Sequence, residues 1–430
     1  MRTAKNQRLS PAAVILIAFA LVSPSHAQDA SPAALDHLTL QAAETLFAER
    51  NRELQIAKRA VEGAEADAVS AAAAPNPNLN LSTSRISPSI GVGSGPLTEK
   101  RLDTVVGLSQ LFERGNKREL RAEAARFNVT AARRDEADAG RQLLYQVRAA
   151  YYDLLLAQEK LEITSKTAEL FEKSVDAAER RLRAGDIPAT ELARIRVEAL
   201  RARNDASGAR AERDRNQLAL AYLIGVEGEA ARLIATDPWP VDPAPRSSTA
   251  AADTIARRAD VRAAQARVDA AEKARDLARA LRTRDITGGV QYERFPGDAV
   301  NNSYGITLSI PLFTRYQYAG EIRRAEVELQ AAEESLARTR AVAATDISRA
   351  ERDLTAAAER MRRSRENLLT AAAQAAKGAE FAYARGATGI MDLIDARRQF
   401  YAAQLDTVTT TADYAKALAA WNSATKVSMD

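Results

Sequence analysis

The sequence repeats itself with a shift of about two hundred residues. The phrase that ends at Phe112 resembles the phrase that ends at Phe313, and a turn-like segment at Gly185 reappears at Gly386. Both shifts are 201 residues. A fixed long period is typical of duplicated structural units, so the chain is expected to contain two copies of one unit. The expected division is a first copy at 28–236, a proline-rich linker at 237–250 and a second copy at 251–430.

The first 27 residues have the features of a secretory signal peptide. Three basic residues precede an apolar run at 12–22, and small residues lead up to Ala27. That run is shorter than the roughly 20 residues that a membrane-spanning helix needs. An N-terminal membrane anchor is the alternative. We therefore expect residues 1–27 to be removed from a secreted protein.

Charge and composition exclude several classes of function. The net charge of +4 falls to +1 without the three basic residues of the predicted signal peptide, which argues against a nucleic-acid partner. The chain has no cysteine, and His37 is the one histidine left after cleavage. No cofactor, resident metal site or enzymatic activity is predicted, because no nucleophile–base pair or cysteine–histidine ligand set is present.

Each copy is expected to run helix, two strands, very long helix, tight turn, helix. Residues 40–72 have a helical composition, and the prolines that follow end the helix. Apolar residues then alternate with small polar ones, which is the period of a strand. The predicted strands are 79–84 and 104–111 in the first copy and about 286–295 and 302–310 in the second.

The helices after the strands are long and free of proline. No proline occurs at 116–187 or from residue 314 onward, and apolar residues recur three and four positions apart. A helix over 117–184 would be roughly 100 Å long. An elongated pair of helical hairpins is therefore predicted, rather than one globular core.

Four strands of this length could cross an outer membrane, but they cannot close a barrel by themselves. If they do cross, several chains must pool their strands, and three chains would supply twelve. The alternative is a small soluble sheet that caps the helices.

The chain resembles the TolC family of outer-membrane efflux proteins. The resemblance is carried by the duplicated unit and by short phrases at 38–43, 51–54 and 310–313. It implies a mainly α fold with membrane β-strands: a homotrimer with a 12-stranded β-barrel in the outer membrane, continued by a periplasmic α-helical tube. It also implies a passive exit duct that works with a periplasmic adaptor protein and an inner-membrane pump of the RND type.

A finer resemblance points to the CzcC-like branch, which exports heavy-metal cations. It is carried by 75–77 and by the phrase at 110–118, where that branch tends to have Glu-x-Gly-Gly-Lys-Arg. Asn116 stands here in place of the second glycine. Export of drugs or other small molecules is the alternative, and a periplasmic coiled-coil adaptor or structural protein is the alternative from a different class.

The resemblance also implies a periplasmic gate and a docking site at the hairpin tips. Asp392 and Asp395 are three apart and share a helical face, although acids are also common in the first turn of a helix. The implied gate residues are Asp392, Asp395, Tyr383, Glu191 and Thr190. The implied adaptor or pump contacts are Gly185, Asp186, Ile187, Gly386, Ala387, Thr388 and Gly389.

The first prediction concerns the number of chains. Four strands leave two open edges, and the strands of three chains would close them into one barrel of twelve. Crosslinking of the detergent-solubilised protein should therefore stop at three chains. A monodisperse monomer in mild detergent would contradict the pooled barrel.

Overall fold

The computed structural model describes residues 35–86, 89, 91–96, 100, 102–240, 251–296 and 300–426. The predicted signal peptide at 1–27 lies outside the described residues, as does most of the predicted linker. The predicted domain boundaries stay predictions.

Long helices dominate both halves of the chain, and one pair of strands interrupts each half. The first half contains α1 Leu40–Arg50, α2 Arg52–Ala72, β1 Asn78–Ser84, β2 Asp103–Phe112, α3 Lys117–Arg183 and α4 Ala189–Ile224, followed by a 3₁₀ turn Glu227–Arg232. The second half contains α5 Ala251–Arg257, α6 Ala259–Ala280, β3 Ile286–Pro296, β4 Val300–Ser309, α7 Ala319–Arg363, a π turn Ser364–Leu368, α8 Leu369–Ala384 and α9 Ile390–Thr425. The predicted element order is confirmed in both halves.

The first predicted helix is broken in two by Asn51. Its ψ of 122° ends α1, and its side-chain oxygen accepts a hydrogen bond from the Leu54 amide at 2.8 Å, which starts α2. The same side chain donates to the Leu223 carbonyl at 2.8 Å. The continuous helix expected over 40–72 is therefore two helices. The buried asparagine between them has hydrogen-bond partners for both its side-chain oxygen and its side-chain nitrogen.

The second long helix is interrupted by the π turn between α7 and α8. The buried Ser364 hydroxyl donates to Asp406 Oδ2 at 2.7 Å and lies 3.1 Å from Thr407 Oγ1. The polar side chains of α9 thus supply hydrogen-bond partners to the serine hydroxyl at the start of the π turn. The corresponding region of α3 is regular, and α3 is 67 residues long.

The helices pack side by side along their lengths. Helix α3 lies against α2, α4, α6 and α9, and α7 lies against α6 and α9. The core is a series of small clusters; the cluster around Tyr151 also takes in α1, α4 and the 3₁₀ turn. The Tyr151 hydroxyl donates to the Leu38 carbonyl at 3.0 Å, which ties the start of the described chain to α3.

The four strands form one antiparallel sheet in the order β1–β2–β3–β4. Strands β2 and β3 join the two halves, so β1 and β4 are the edges of the sheet. One face of the sheet is apolar and exposed, with rows across the strands formed by Leu79, Leu108, Val290 and Ile306 and by Leu81, Val106, Tyr292 and Tyr304. Apart from Val105, the opposite face carries small and polar residues, with rows formed by Asn80, Gly107, Gln291 and Gly305 and by Ser82, Val105, Glu293 and Ser303.

Both strand-to-helix junctions use a left-handed residue at the start of the helix. Asn116 precedes α3 with φ of 57°, and Tyr318 precedes α7 with φ of 59°. Asparagine adopts this conformation more readily than most residues, so Asn116 can stand where a glycine would be expected. Among the described residues, no helix is long and apolar enough to cross a membrane.

The second prediction concerns Asn51. Changing Asn51→Ala leaves the half-buried Leu223 carbonyl and the Leu54 amide without their side-chain partner, so the free energy of unfolding should fall by about 2–3 kcal/mol. Amide hydrogen exchange in 52–56 and 220–224 should rise. Thr39→Ala removes the exposed cap of α1 and is the matched control, with an expected loss of about 1 kcal/mol. Equal effects of the two changes would contradict the role given to Asn51.

Candidate functional site

The two hairpin turns have the same backbone construction. Gly185 and Gly386 both adopt positive φ, of 81° and 72°, the left-handed conformation that glycine tolerates best. The amide that follows each glycine donates to a carbonyl five residues back: Asp186 to Arg181 at 2.9 Å and Ala387 to Ala382 at 2.9 Å. This pattern satisfies the last carbonyls of α3 and α8 and turns the chain back on itself.

The residues at the hairpin tips are mostly exposed. Asp186, Ala387 and Gly389 face solvent, as do both glycines of the turns. Ile187 is the exception, because it packs into the apolar cluster between α3 and α4. Thr388 is half-buried, and its hydroxyl has no hydrogen-bond partner among the described residues.

Asp392 and Asp395 lie on one exposed face in the first turns of α9. The residues between them, Leu393 and Ile394, are buried, so the two carboxylates point away from the packed side of the helix. Asp395 Oδ1 lies 3.6 Å from Arg398 Nη1, and within the described part of the chain Asp392 has no ion-pair partner. Asp392 is therefore the less neutralised of the two.

The Tyr383 hydroxyl is held by the other hairpin. It accepts a hydrogen bond from Arg181 Nη1, and the Arg181 Cζ atom lies 5.7 Å from the centre of the tyrosine ring. Glu191 lines the same cavity of about 390 Å³ between the hairpins but makes no hydrogen bond to Tyr383. Thr190, the residue before it, is exposed.

Two more arginines tie α9 to its neighbours. Arg398 Nε donates to Glu198 Oε2 at 2.8 Å, and its Nη2 contacts the second carboxylate oxygen. The hydrogen bond to Glu198 raises the pKa of Arg398 above its ordinary value, so the guanidinium stays charged throughout the physiological range. Arg397 Nη2 lies 3.1 Å from Glu380 Oε1, and its Nη1 donates to Ser174 Oγ at 3.4 Å.

The sequence analysis did not predict these side-chain contacts, although one signal could have located two of them. Arg181 and Tyr383 are 202 residues apart, and Glu198 and Arg398 are 200 apart. Both separations are within one residue of the 201-residue repeat. Nearly equivalent positions of the two copies therefore meet where the two hairpins lie side by side.

The phrase at 113–118 builds the junction between β2 and α3. Arg121 Nη1 donates to Glu113 Oε1 at 2.7 Å. The buried Lys117 Nζ donates to Asp285 Oδ1 and to the Thr283 carbonyl, each at 2.8 Å. The charged residues of this phrase thus hold the strands on the helices. Across the described ranges, no three histidine, cysteine or acidic residues come together as a metal site.

The sequence profile described as "Outer membrane efflux protein" matches residues 45–226 and 251–425, which is most of the chain. The chain belongs to the outer membrane efflux protein family. It is an outer-membrane efflux channel that extends into the periplasm, in a family of channels rather than enzymes.

Known relatives agree with this assignment. The chain is 24% identical over 376 residues to the cobalt-zinc-cadmium resistance protein CzcC of Cupriavidus metallidurans, covering 86% of this chain and 85% of that protein. The fold is similar to a crystal structure of CusC, whose study concerns folding and transmembrane channel formation. The TM-score is 0.76 at 18% identity, covering 90% of this chain and 92% of that one. The Campylobacter jejuni CmeC outer membrane channel gives a TM-score of 0.76 at 15% identity over 98% and 94%. The predicted mainly α fold with a few strands is confirmed, and the pooling of strands by three chains stays a prediction.

The third prediction concerns the contact between the hairpins. Arg181→Gln and Tyr383→Phe should each raise amide hydrogen exchange at the end of α8 by up to about fivefold, because an exposed contact of this kind contributes at most about 1 kcal/mol. The double variant should exchange no faster than the faster single variant, since both changes remove one interaction. Arg180→Gln, at a neighbouring exposed arginine, is the control and should leave exchange unchanged. Fully additive effects would show that the two residues act independently.

Proposed function

We propose that three copies of this chain form the exit duct of a tripartite efflux system. The observation that carries the proposal is the four-stranded sheet, which has one exposed apolar face and two open edges. Backbone groups at an open edge have no partner in lipid, so the β4 edge of one chain would pair with the β1 edge of the next. Three sheets joined in this way make a barrel of twelve strands, with apolar residues toward lipid and small polar residues toward water.

The hairpins would continue this barrel as a tube across the periplasm. Helix α3 is roughly 100 Å long, and the tips at Gly185 and Gly386 lie at the end farthest from the strands. The exposed tip residues Asp186, Ala387 and Gly389 would contact the periplasmic adaptor and, through it, an inner-membrane pump of the RND type. Both tips expose a backbone turn with open space around the glycine, which suits a surface that another protein covers.

The transported solutes are proposed to be divalent heavy-metal cations. Support comes from the similarity to a cobalt-zinc-cadmium resistance protein along most of both chains. It also comes from Asp392, whose exposed carboxylate has no ion-pair partner among the described residues. Three such carboxylates around a narrow opening would favour cations over anions. Oxygen ligands without histidine or cysteine hold soft divalent ions loosely, which suits passage rather than storage.

The gate is proposed to lie at the same end of the tube. Asp392 and Asp395 would form the ring, while Tyr383, held by Arg181, would keep the second hairpin against the first. Glu191 and Thr190 lie at the start of α4, where movement of the hairpins would change their surroundings. Opening would separate α8 from α3 and break the contact between Arg181 and Tyr383.

The fourth prediction tests the duct and its charge selectivity together. In planar bilayers the trimer should conduct and prefer cations, and a trivalent cation on the periplasmic side should block it. Asp392→Asn with Asp395→Asn should lower the cation preference and relieve the block. Asp392→Asn alone should have the larger effect, because Arg398 already neutralises part of the charge of Asp395.

The control is Asp205→Asn with Asp353→Asn, two exposed acids outside the proposed ring. This pair removes the same charge and should leave selectivity and block unchanged. Absence of any conductance would overturn the duct. Normal conductance with unchanged block in the Asp392/Asp395 variant would overturn the gate alone.

A further inference from the structure

Three arginines meet where the strands join the helices. Arg114 follows β2, and Arg282 and Arg284 lie between α6 and β3. With Thr283, Phe313 and Gln317 they line a cavity of about 360 Å³. The Arg284 Cζ atom lies 5.7 Å from the centre of the Phe313 ring, and Arg282 Nε donates to the Gln317 carbonyl at 3.4 Å. We call these three residues the junction arginines.

The nearby acids are already paired with other cations. Asp285 accepts from Lys117 Nζ at 2.8 Å and from the Arg114 backbone amide at 2.9 Å, and Glu113 pairs with Arg121. Within the described ranges no carboxylate forms an ion pair with a junction arginine. All three side chains are exposed, so the cavity presents several guanidinium donors and no compensating negative charge.

The junction arginines border the apolar face of the sheet. Phe112 is two residues before Arg114 and 57% exposed, and Leu312, at the corresponding end of β4, is 72% exposed. Ile286 is two residues after Arg284 and pairs with Phe112 across the strands. A basic cavity is therefore continuous with an exposed apolar surface, and a ligand that covers both needs an anionic head and an apolar tail.

We propose that the junction arginines bind the headgroup phosphate of an anionic glycerophospholipid in the periplasmic leaflet. The inference rests on the proposed function, because it requires the apolar face of the sheet to lie in the membrane. Guanidinium groups donate paired hydrogen bonds to phosphate oxygens. Basic pockets at the edge of a membrane-spanning region select anionic lipids in this way. The acyl chains of the lipid would cover Phe112, Ile286 and Leu312.

The apolar border distinguishes this ligand from free phosphate. Inorganic phosphate would gain the hydrogen bonds but would leave Phe112 and Leu312 exposed. A lipid gains both, and the burial of its chains adds to the affinity. We therefore expect an anionic phospholipid to be retained when inorganic phosphate is not.

Native mass spectrometry of the detergent-solubilised full-length trimer is the test. The protein is titrated with dimyristoyl phosphatidylglycerol and, separately, with dimyristoyl phosphatidylcholine, which has the same chains and no net charge. Phosphatidylglycerol should bind at least about tenfold more tightly. Changing the junction arginines together, as Arg114→Gln, Arg282→Gln and Arg284→Gln, should abolish this preference. Inorganic phosphate in millimolar excess should not displace the lipid.

A matched triple variant controls for loss of positive charge. Arg349→Gln, Arg352→Gln and Arg362→Gln remove three exposed arginines of α7, and this variant should keep the preference for phosphatidylglycerol. If both triple variants lose the preference for phosphatidylglycerol equally, overall positive charge explains it and the proposed site is overturned. Displacement by inorganic phosphate would show an anion site in water instead.

Conductance separates this inference from the proposed function. Both triple variants should conduct in planar bilayers, because neither changes the proposed gate. Conducting trimers with no lipid preference would overturn the lipid site and leave the duct intact. Failure of the unsubstituted protein to conduct or trimerise would instead count against the duct.

Discussion

Side-by-side packing along narrow, alanine-rich seams is the interaction on which this molecule depends. An isolated helix gains little from its own hydrogen bonds, so a helix as long as α3 needs neighbours along its whole length. Its buried positions are often small, as at Ala122, Ala131, Ala168 and Ala178. Small side chains let neighbouring helices approach closely, and each contact adds only a modest free energy. Stability is therefore distributed along the hairpins rather than concentrated in one core.

The element order could be predicted from the sequence, because it follows from local patterns repeated at a fixed distance. Absence of proline predicts the long helices, alternation predicts the strands, and glycine predicts the turns. The exceptions depend on partners far away in the chain. Asn51 breaks a helix because Leu223 offers it a carbonyl, and Ser364 lies in a π turn beside the polar groups of α9. No local pattern contains that information.

The candidate site could be predicted only in part. The left-handed glycines and the shared face of Asp392 and Asp395 follow from local spacing. The contact between Arg181 and Tyr383 does not, since it needs the two hairpins to be placed against each other. The phrase at 113–118 shows the opposite case. Its charged residues attach strands to helices, so they mark the architecture of the junction rather than the identity of the solute.

The contact between Glu198 and Arg398 has a consequence for the history of the duplication. A shift of 201 residues makes Gln399 the counterpart of Glu198, and Val197 the counterpart of Arg398. A chain built from two identical first copies would set the glutamate against valine, and its carboxylate, only 12% exposed, would keep Arg201 of its own helix at 3.1 Å but lose the cation on α9. The link between the two hairpins would then be missing at this point. The two copies have become complementary at this contact, and a ring of six identical single units would lack it.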